Sequence, residues 1–198
     1  MDTRHSLINV AGLSFLLVDP NPHSCAIIHG ILRGFGATRV VEARTADDAI
    51  NVLIDQKIDM MMVEPKLEDG KGLAFIRSIR QDPNNPIRTI PILVVTGDTR
   101  TSIIKGARDC GANMVIAKPT SPAVLYERLT WVALHPRSFA ETGTYFGPDR
   151  RFKIEELPDG TGKRGVDKDV TVATDEGRAM SQKEVDSPLH VTRVGGPG

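Results

Sequence analysis

Apolar runs and amphipathic stretches alternate five times between residues 13 and 134, and few folds accept that alternation. Leu13-Ser14-Phe15-Leu16-Leu17-Val18 reads as a strand that ends at Asp19. Ile27, Ile28, Ile31 and Leu32 then fall on one face of a helix stopped by Gly34 and Gly36. Thr38 to Ala43 is a second strand. Thr45 caps the next helix, with Asp48 three residues on, and Ala49, Val52 and Leu53 face inward. Asp59 to Val63 is the third strand, followed by a helix carrying Leu73, Phe75, Ile76 and Ile79 until Asp82-Pro83-Asn84-Asn85-Pro86 breaks it. Ile90 to Val95 is apolar throughout, as a strand covered on both faces must be. A helix from about Thr101 to Cys110 ends at Gly111, and Met114 to Ala117 is the fifth strand. Ser121 as N-cap with Pro122 behind it starts a last helix that reaches Ala133. Strands and helices in strict alternation, joined by right-handed crossovers, predict an α/β fold with a doubly wound parallel sheet.

Composition changes near residue 135, where GPDRRF, LPDGTGKRG and VGGPG bring Gly, Pro and charge with few large apolar side chains. Such a stretch buries too little to offset its ordering entropy. Residues 12–134 are therefore expected to form the domain, and 135–198 a mostly disordered, flexible tail with a basic and aromatic segment at 137–153. Lys+Arg and Asp+Glu balance at 25 each, which excludes a globally basic nucleic-acid binder. Cys25 and Cys110 match no metal or redox spacing and read as small apolar residues in a reducing compartment. No apolar run approaches the length of a signal peptide core or a membrane span, so a soluble, cytoplasmic protein is expected.

In a doubly wound sheet the ligand crevice lies beyond the C-terminal ends of the strands. The first strand exits into Asp19-Pro20, the third into Glu64-Pro65, the fourth into Thr96-Gly97 and the fifth into Lys118-Pro119. Two acids, a hydroxyl and an ammonium thus converge on one crevice. In order, spacing and strand context this set resembles the receiver domain of two-component response regulators, and the resemblance covers about residues 12–134, including the helix-opening Asp69-Gly70. It implies a CheY-like (flavodoxin-like) five-stranded sheet of order 2-1-3-4-5. It also implies an acidic pair after the first strand that helps hold Mg²⁺, and an Asp after the third that accepts a phosphoryl group. A Thr and a Lys-Pro after the fourth and fifth strands answer the phosphate, the roles that fall to Thr96 and Lys118. The chemistry asks for these residue types: a carboxylate attacks phosphorus, cations neutralise the equatorial oxygens, and a hydroxyl follows the new group.

Two positions depart from that pattern. Glu64 stands where the phosphoacceptor Asp is expected, and Pro20 replaces the second acid of the first pair. Glutamate carries its carboxylate roughly 1.5 Å farther out, one carbon–carbon bond. Mg²⁺ wants near-octahedral oxygens at about 2.0–2.1 Å. Asp19, Glu64 and the Lys66 carbonyl are then expected to make a weak Mg²⁺ site at best, and phosphorylation to be slight or absent. Lys66, two residues past Glu64, is expected to put its ammonium where a metal's charge would sit. The family's switch aromatic on the fifth strand falls at Val115, counted back from Lys118.

Arg137, Arg150, Arg151 and Lys153 lie among Phe139, Tyr145, Phe146 and Phe152, and the stretch resembles a "YFGPDRR" extension found after some single-domain bacterial receivers. Arginine forks with interleaved aromatics suit anion pairing and base stacking. The competing reading has the aromatics packing back on the domain. Three functions are open at this point. One is a pseudo-receiver that binds a protein partner (a histidine kinase, a phosphotransferase or a downstream target) through its helix-four to strand-five face. The others are a conventional phospho-switched receiver and a cyclic di-GMP effector acting through Arg137, Arg150 and Arg151. No nucleophile–base pair or phosphate-cradling loop suggests an enzyme, since Asp69-Gly70 with Gly72 is a helix-entry turn, and no DNA-binding domain follows residue 135.

Overall fold

Leu16 and Val18 send their side chains to one face of the sheet while Phe15 and Leu17 send theirs to the other, and both sets are buried. The apolar first strand is therefore covered on both sides. The computed structural model describes residues 8–67 and 70–150. In chain order its elements are β1 (Ser14–Val18), α1 (Pro22–Gly34), β2 (Arg39–Ala43), α2 (Ala46–Asp55), β3 (Met60–Val63), α3 (Gly72–Gln81), β4 (Ile92–Thr96), α4 (Thr101–Asp109), β5 (Met114–Ala117), α5 (Pro122–Leu134), β6 (Phe139–Thr142) and β7 (Tyr145–Pro148). The first five strands form one parallel sheet of order β2-β1-β3-β4-β5, as expected.

The core has two layers. Met61, Val63, Ile92 and Val94 pack with Phe75, Ile76, Ile79 and Ile104 on one face. On the other, Met60, Met62, Leu93 and Val95 meet Ile28, Leu32, Leu125 and Leu129. Caps fall where the side-chain chemistry places them: the Thr45 hydroxyl accepts from Asp48 N at 3.1 Å and the Ser121 hydroxyl from Val124 N at 3.2 Å. Ile27 departs from the periodic reading. It is 48% exposed, because α1 turns only Cys25, Ile28 and Leu32 fully inward.

Strand register sets the crevice. Val18 pairs with Val63, so the residues that follow, Asp19 and Glu64, stand side by side, and Glu64 N donates to the Val18 carbonyl at 2.9 Å. Thr96 pairs with Ala117, which brings Lys118 next to it, with Lys118 N on the Thr96 carbonyl at 2.7 Å. Gly72 seals the entry to α3: a Cβ there would lie 2.3 Å from the Glu64 carbonyl oxygen. That contact holds the turn after β3 down on the helix.

The expectation of disorder from residue 135 onward is corrected for the described part of that segment. Residues 139–148 form an antiparallel hairpin, with Phe139 opposite Pro148 and Thr142 opposite Tyr145. Its local composition is poor in large apolar groups, but its aromatics find partners on the domain. Arg88 stacks on the Phe146 ring at 3.5 Å, Arg80 lies 5.2 Å from the Phe139 ring centre, and the two phenyl rings pack at 5.2 Å. The backbone closes in as well, since a Cβ on Gly147 would lie 2.8 Å from Gly111 Cα. Arg151, Phe152, Lys153 and Asp69 lie outside the described residues.

Candidate functional site

Four strand ends deliver four side chains to one point. Asp19 follows β1 and is buried, Glu64 follows β3, Thr96 closes β4 with no exposed surface, and Lys118 follows β5. The Lys118 ammonium sits between the two acids, 2.5 Å from Asp19 Oδ2 and 2.8 Å from Glu64 Oε2. The Thr96 hydroxyl donates to Glu64 Oε1 at 2.9 Å and accepts from Asp98 N at 3.0 Å. Asn21 N donates to Asp19 Oδ1 at 2.8 Å, and Lys66 N to Glu64 Oε1 at 3.3 Å. Every one of the four carboxylate oxygens therefore already has a proton donor. Burial by itself would lower the Lys118 pKa, but the hydrogen bonds and charges of Asp19 and Glu64 outweigh it and hold the ammonium above its usual range.

The donor set can be tested against the Mg²⁺ that the sequence resemblance implies. The ion takes oxygens at about 2.0–2.1 Å in near-octahedral array and keeps several waters. Pro20 offers no side-chain oxygen, and the one cation bridging Asp19 and Glu64 is the protein's own ammonium. Among the described residues no group of three or more His, Cys, Asp or Glu side chains is arranged to hold a metal. These residues do not fit a Mg²⁺ site.

Lys66 is placed elsewhere than its sequence position suggested. Its ammonium pairs with Asp98 Oδ2 at 2.8 Å and leaves the space between the carboxylates to Lys118. The physical reason is reach: Lys118 follows β5 beside Thr96 and extends its ammonium across the strand ends to Asp19 and Glu64, whereas Lys66 lies on the rim and is 57% exposed. Asp98, which sequence reasoning passed over, is the rim's anchor. It takes Arg100 Nη2 at 2.6 Å and Nε at 2.8 Å. The Arg100 hydrogen bonds, against some opposing burial and with Lys66 adding to them, hold the Asp98 carboxyl well below the usual carboxylate range. Its only sequence signal was an acid two residues past the strand-end Thr96. Val115 is buried in the core beside Ile104 and Ala107, so no aromatic ring is available at that position to follow Thr96.

The described arginines of the C-terminal segment lie at the other end of the sheet and are already engaged. Arg137 donates to the Asn113 carbonyl and lies 5.7 Å from the Trp131 ring centre, and burial lowers its pKa. Arg150 donates to the Arg108 carbonyl at 3.1 Å, pairs with Asp109 at 2.8 Å and stacks on Tyr145 at 4.0 Å. Neither presents a free fork to a nucleotide. Arg80, another residue the sequence did not single out, is fully buried at this same end. No described helix is long and apolar enough to cross a membrane.

Comparison with known proteins agrees with this architecture. The family model of the response regulator receiver domain matches residues 15–130. The chemotaxis protein CheY of Pseudomonas aeruginosa is 26% identical over 117 residues, which is 59% of this chain and 93% of that protein. CheY-3 of Vibrio cholerae is also 26% identical over 117 residues, covering 88% of its length. Among solved structures, a two-component response regulator from Clostridium difficile superposes with a TM-score of 0.57 at 24% identity, over 64% of this chain and 99% of that one, a likeness of fold alone. The receiver domain of a sensor histidine kinase from Pseudomonas aeruginosa, crystallised with magnesium coordinated in its active-site cleft, gives a TM-score of 0.53 at 28% identity, over 61% and 96% of the two chains.

Proposed function

This chain belongs to the response regulator receiver family of two-component signalling, and from that premise we propose that it is a pseudo-receiver: it keeps the receiver's crevice but signals without a phosphorylation cycle. Glu64 holds the acceptor's place. One observation carries the reading, the 2.9 Å bond from the Thr96 hydroxyl to Glu64 Oε1. In a cycling receiver that hydroxyl is to be drawn in by a new phosphoryl group; here a resident carboxylate, one bond longer than an aspartate's, already occupies it. Lys118, the other group expected to meet the phosphate, is spent on the same carboxylate and on Asp19. Pro20 and the bridging ammonium support the reading from the metal side.

A protein with such a crevice acts by presenting a surface. The α4–β5 face is the proposed contact for its partner, a histidine kinase, a phosphotransferase or a downstream target, with no reaction catalysed by the chain itself. The cyclic-dinucleotide reading is not carried forward, because Arg137 and Arg150 are engaged by backbone carbonyls and Asp109.

The test is phosphoryl transfer. Incubation with acetyl phosphate and Mg²⁺, followed by intact-mass measurement, is expected to leave the wild-type chain unmodified. The double variant Glu64→Asp/Pro20→Asp, which restores both acids, is expected to acquire a phosphoryl group. Modification of the wild-type chain at Glu64 would falsify the reading.

A further inference from the structure

Helix α4 has little to hold it by itself. It is nine residues long, fully buries only Ile104 and Ala107, and has no side-chain N-cap. Gly106 within it lowers its intrinsic helicity further and leaves only the tip of the Leu73 side chain beside it, 2.8 Å from where a Cβ would stand. A helix so short is marginal without tertiary support. Support comes at its two ends, from two different places.

At the N-terminal end, Asp98 fixes the approach to the helix. Its amide is on the Thr96 hydroxyl, its carboxylate on Lys66 of the neighbouring loop, and Arg100 is locked to it. At the C-terminal end the hairpin and Arg150 just after it do the holding. Arg150 sits on the Arg108 carbonyl and the Asp109 carboxylate, where a cation also meets the negative end of the helix dipole. Gly111, just past the helix with φ +93°, lies under the β7 backbone: a Cβ on it would be 2.7 Å from the Phe146 carbonyl oxygen. The mutual approach of Gly111 and Gly147 leaves no room for a side chain on either.

We propose that the β6–β7 hairpin is a built-in clamp on α4, which fixes the α4–β5 face in one arrangement from the end of the sheet opposite the crevice. A receiver that cycles needs that helix free to move; one that displays a fixed surface needs it held. At its N-terminal end alone the proposal rests on the reading of the crevice given above.

Amide hydrogen exchange of the full chain tests it, with Arg150→Gln removing the bonds to α4 and Gly147→Ala forcing the hairpin off Gly111. In both variants the amides of residues 104–113 are expected to exchange about tenfold faster, the change that goes with one lost hydrogen bond to a charged group. Those of β1, α1 and α5 should keep their wild-type rates. Unchanged exchange in α4 overturns the proposal. Equal acceleration in every element also overturns it, because the hairpin is then a general stabiliser and not a clamp. Failure of the pseudo-receiver reading looks different: acetyl phosphate would modify wild-type Glu64 whatever the exchange rates of α4.

Discussion

The hydroxyl of Thr96, with no exposed surface, donates to Glu64 Oε1 across 2.9 Å and so ties the ends of β3 and β4 together. The Thr96 hydroxyl oxygen in turn accepts the Asp98 amide, so one side chain joins the crevice floor to the loop before α4. Removing it should be felt on both sides. Thr96→Val keeps the shape and loses the bonds, and is expected to destabilise the chain by about 1.5–3 kcal/mol, the range for hydrogen bonds to a charged group. A double-mutant cycle with Glu64→Ala, which takes the acceptor away, in urea denaturation is expected to give a coupling of about 1 kcal/mol. Strict additivity of the two would mean that the contact does not form in solution.

Lys118 stands between two carboxylates that would otherwise face each other. Lys118→Met should cost about 2–3 kcal/mol, less than a wholly buried ion pair because the lysine side chain keeps a fifth of its surface exposed. The folded-state pKa of the ammonium is raised. Its contribution is therefore complete below the unfolded value of about 10.4 and is lost as pH rises through the folded value. The same variant frees two acidic oxygens. Millimolar Mg²⁺ is expected to leave the melting temperature of the wild type unmoved and to raise that of Lys118→Met, since an ion that binds only the folded state stabilises it.

Asp98 gives the opposite sign. Its folded pKa is depressed, by the Arg100 hydrogen bonds first and Lys66 after. The stabilisation is present above the unfolded value of about 3.9 and disappears as pH falls through the folded one. Because Arg100 and Lys66 are exposed to solvent, the gap between wild type and Asp98→Asn at neutral pH is expected to be only about 1 kcal/mol. Urea melts at pH 7 and pH 3 should show that gap closing on acidification, and also in high salt. A gap that holds at both pH values would mean that the charge of Asp98 is not what stabilises the chain.

The strands and the crevice were legible in the sequence for a simple reason: both depend on short-range patterns. An unbroken apolar run such as Ile92 to Val95 has nowhere to go but a covered strand, and a polar residue at its end must lie at the sheet edge. Which ammonium fills the crevice was not legible. Lys66 and Lys118 differ in reach and direction, which only the assembled register of β1, β3 and β5 decides. The hairpin was hidden for the opposite reason. Phe139 and Phe146 bury against Arg80 and Arg88, residues more than fifty positions away, and the glycines that admit the backbone, Gly111 and Gly147, look like ordinary turn residues. Arg80 was missed because a charged residue at an inward position is scored as an interruption of the pattern, and Asp98 because it lies in a loop that carries no periodic pattern.

Arg80 is the case where that error matters most. It occupies an inward position of α3, four residues after Ile76, with no exposed surface. Its fork is shared among oxygens: the Gly111 carbonyl at 3.0 Å, that of Arg88 at 2.6 Å, that of Ile90 at 2.7 Å and Asn113 Oδ1 at 3.0 Å. These oxygens belong to the loops that lead into β4 and β5, so one side chain organises the end of the sheet on which the hairpin rests. Burial drives its pKa down to about 10, still far enough above neutrality to keep the charge that those carbonyls solvate. Arg80→Met fills the volume but leaves the three carbonyls without this donor and Asn113 Oδ1 with Ile92 N alone, and is expected to destabilise the chain by about 3 kcal/mol or more. Arg80→Lys retains the charge and should recover only part of that loss, because a single ammonium cannot reach oxygens spread around a planar fork. Thermal and urea melts of the two variants decide it. If lysine restored full stability, the charge alone would be what this position needs; if methionine did, the four bonds would contribute nothing beyond packing.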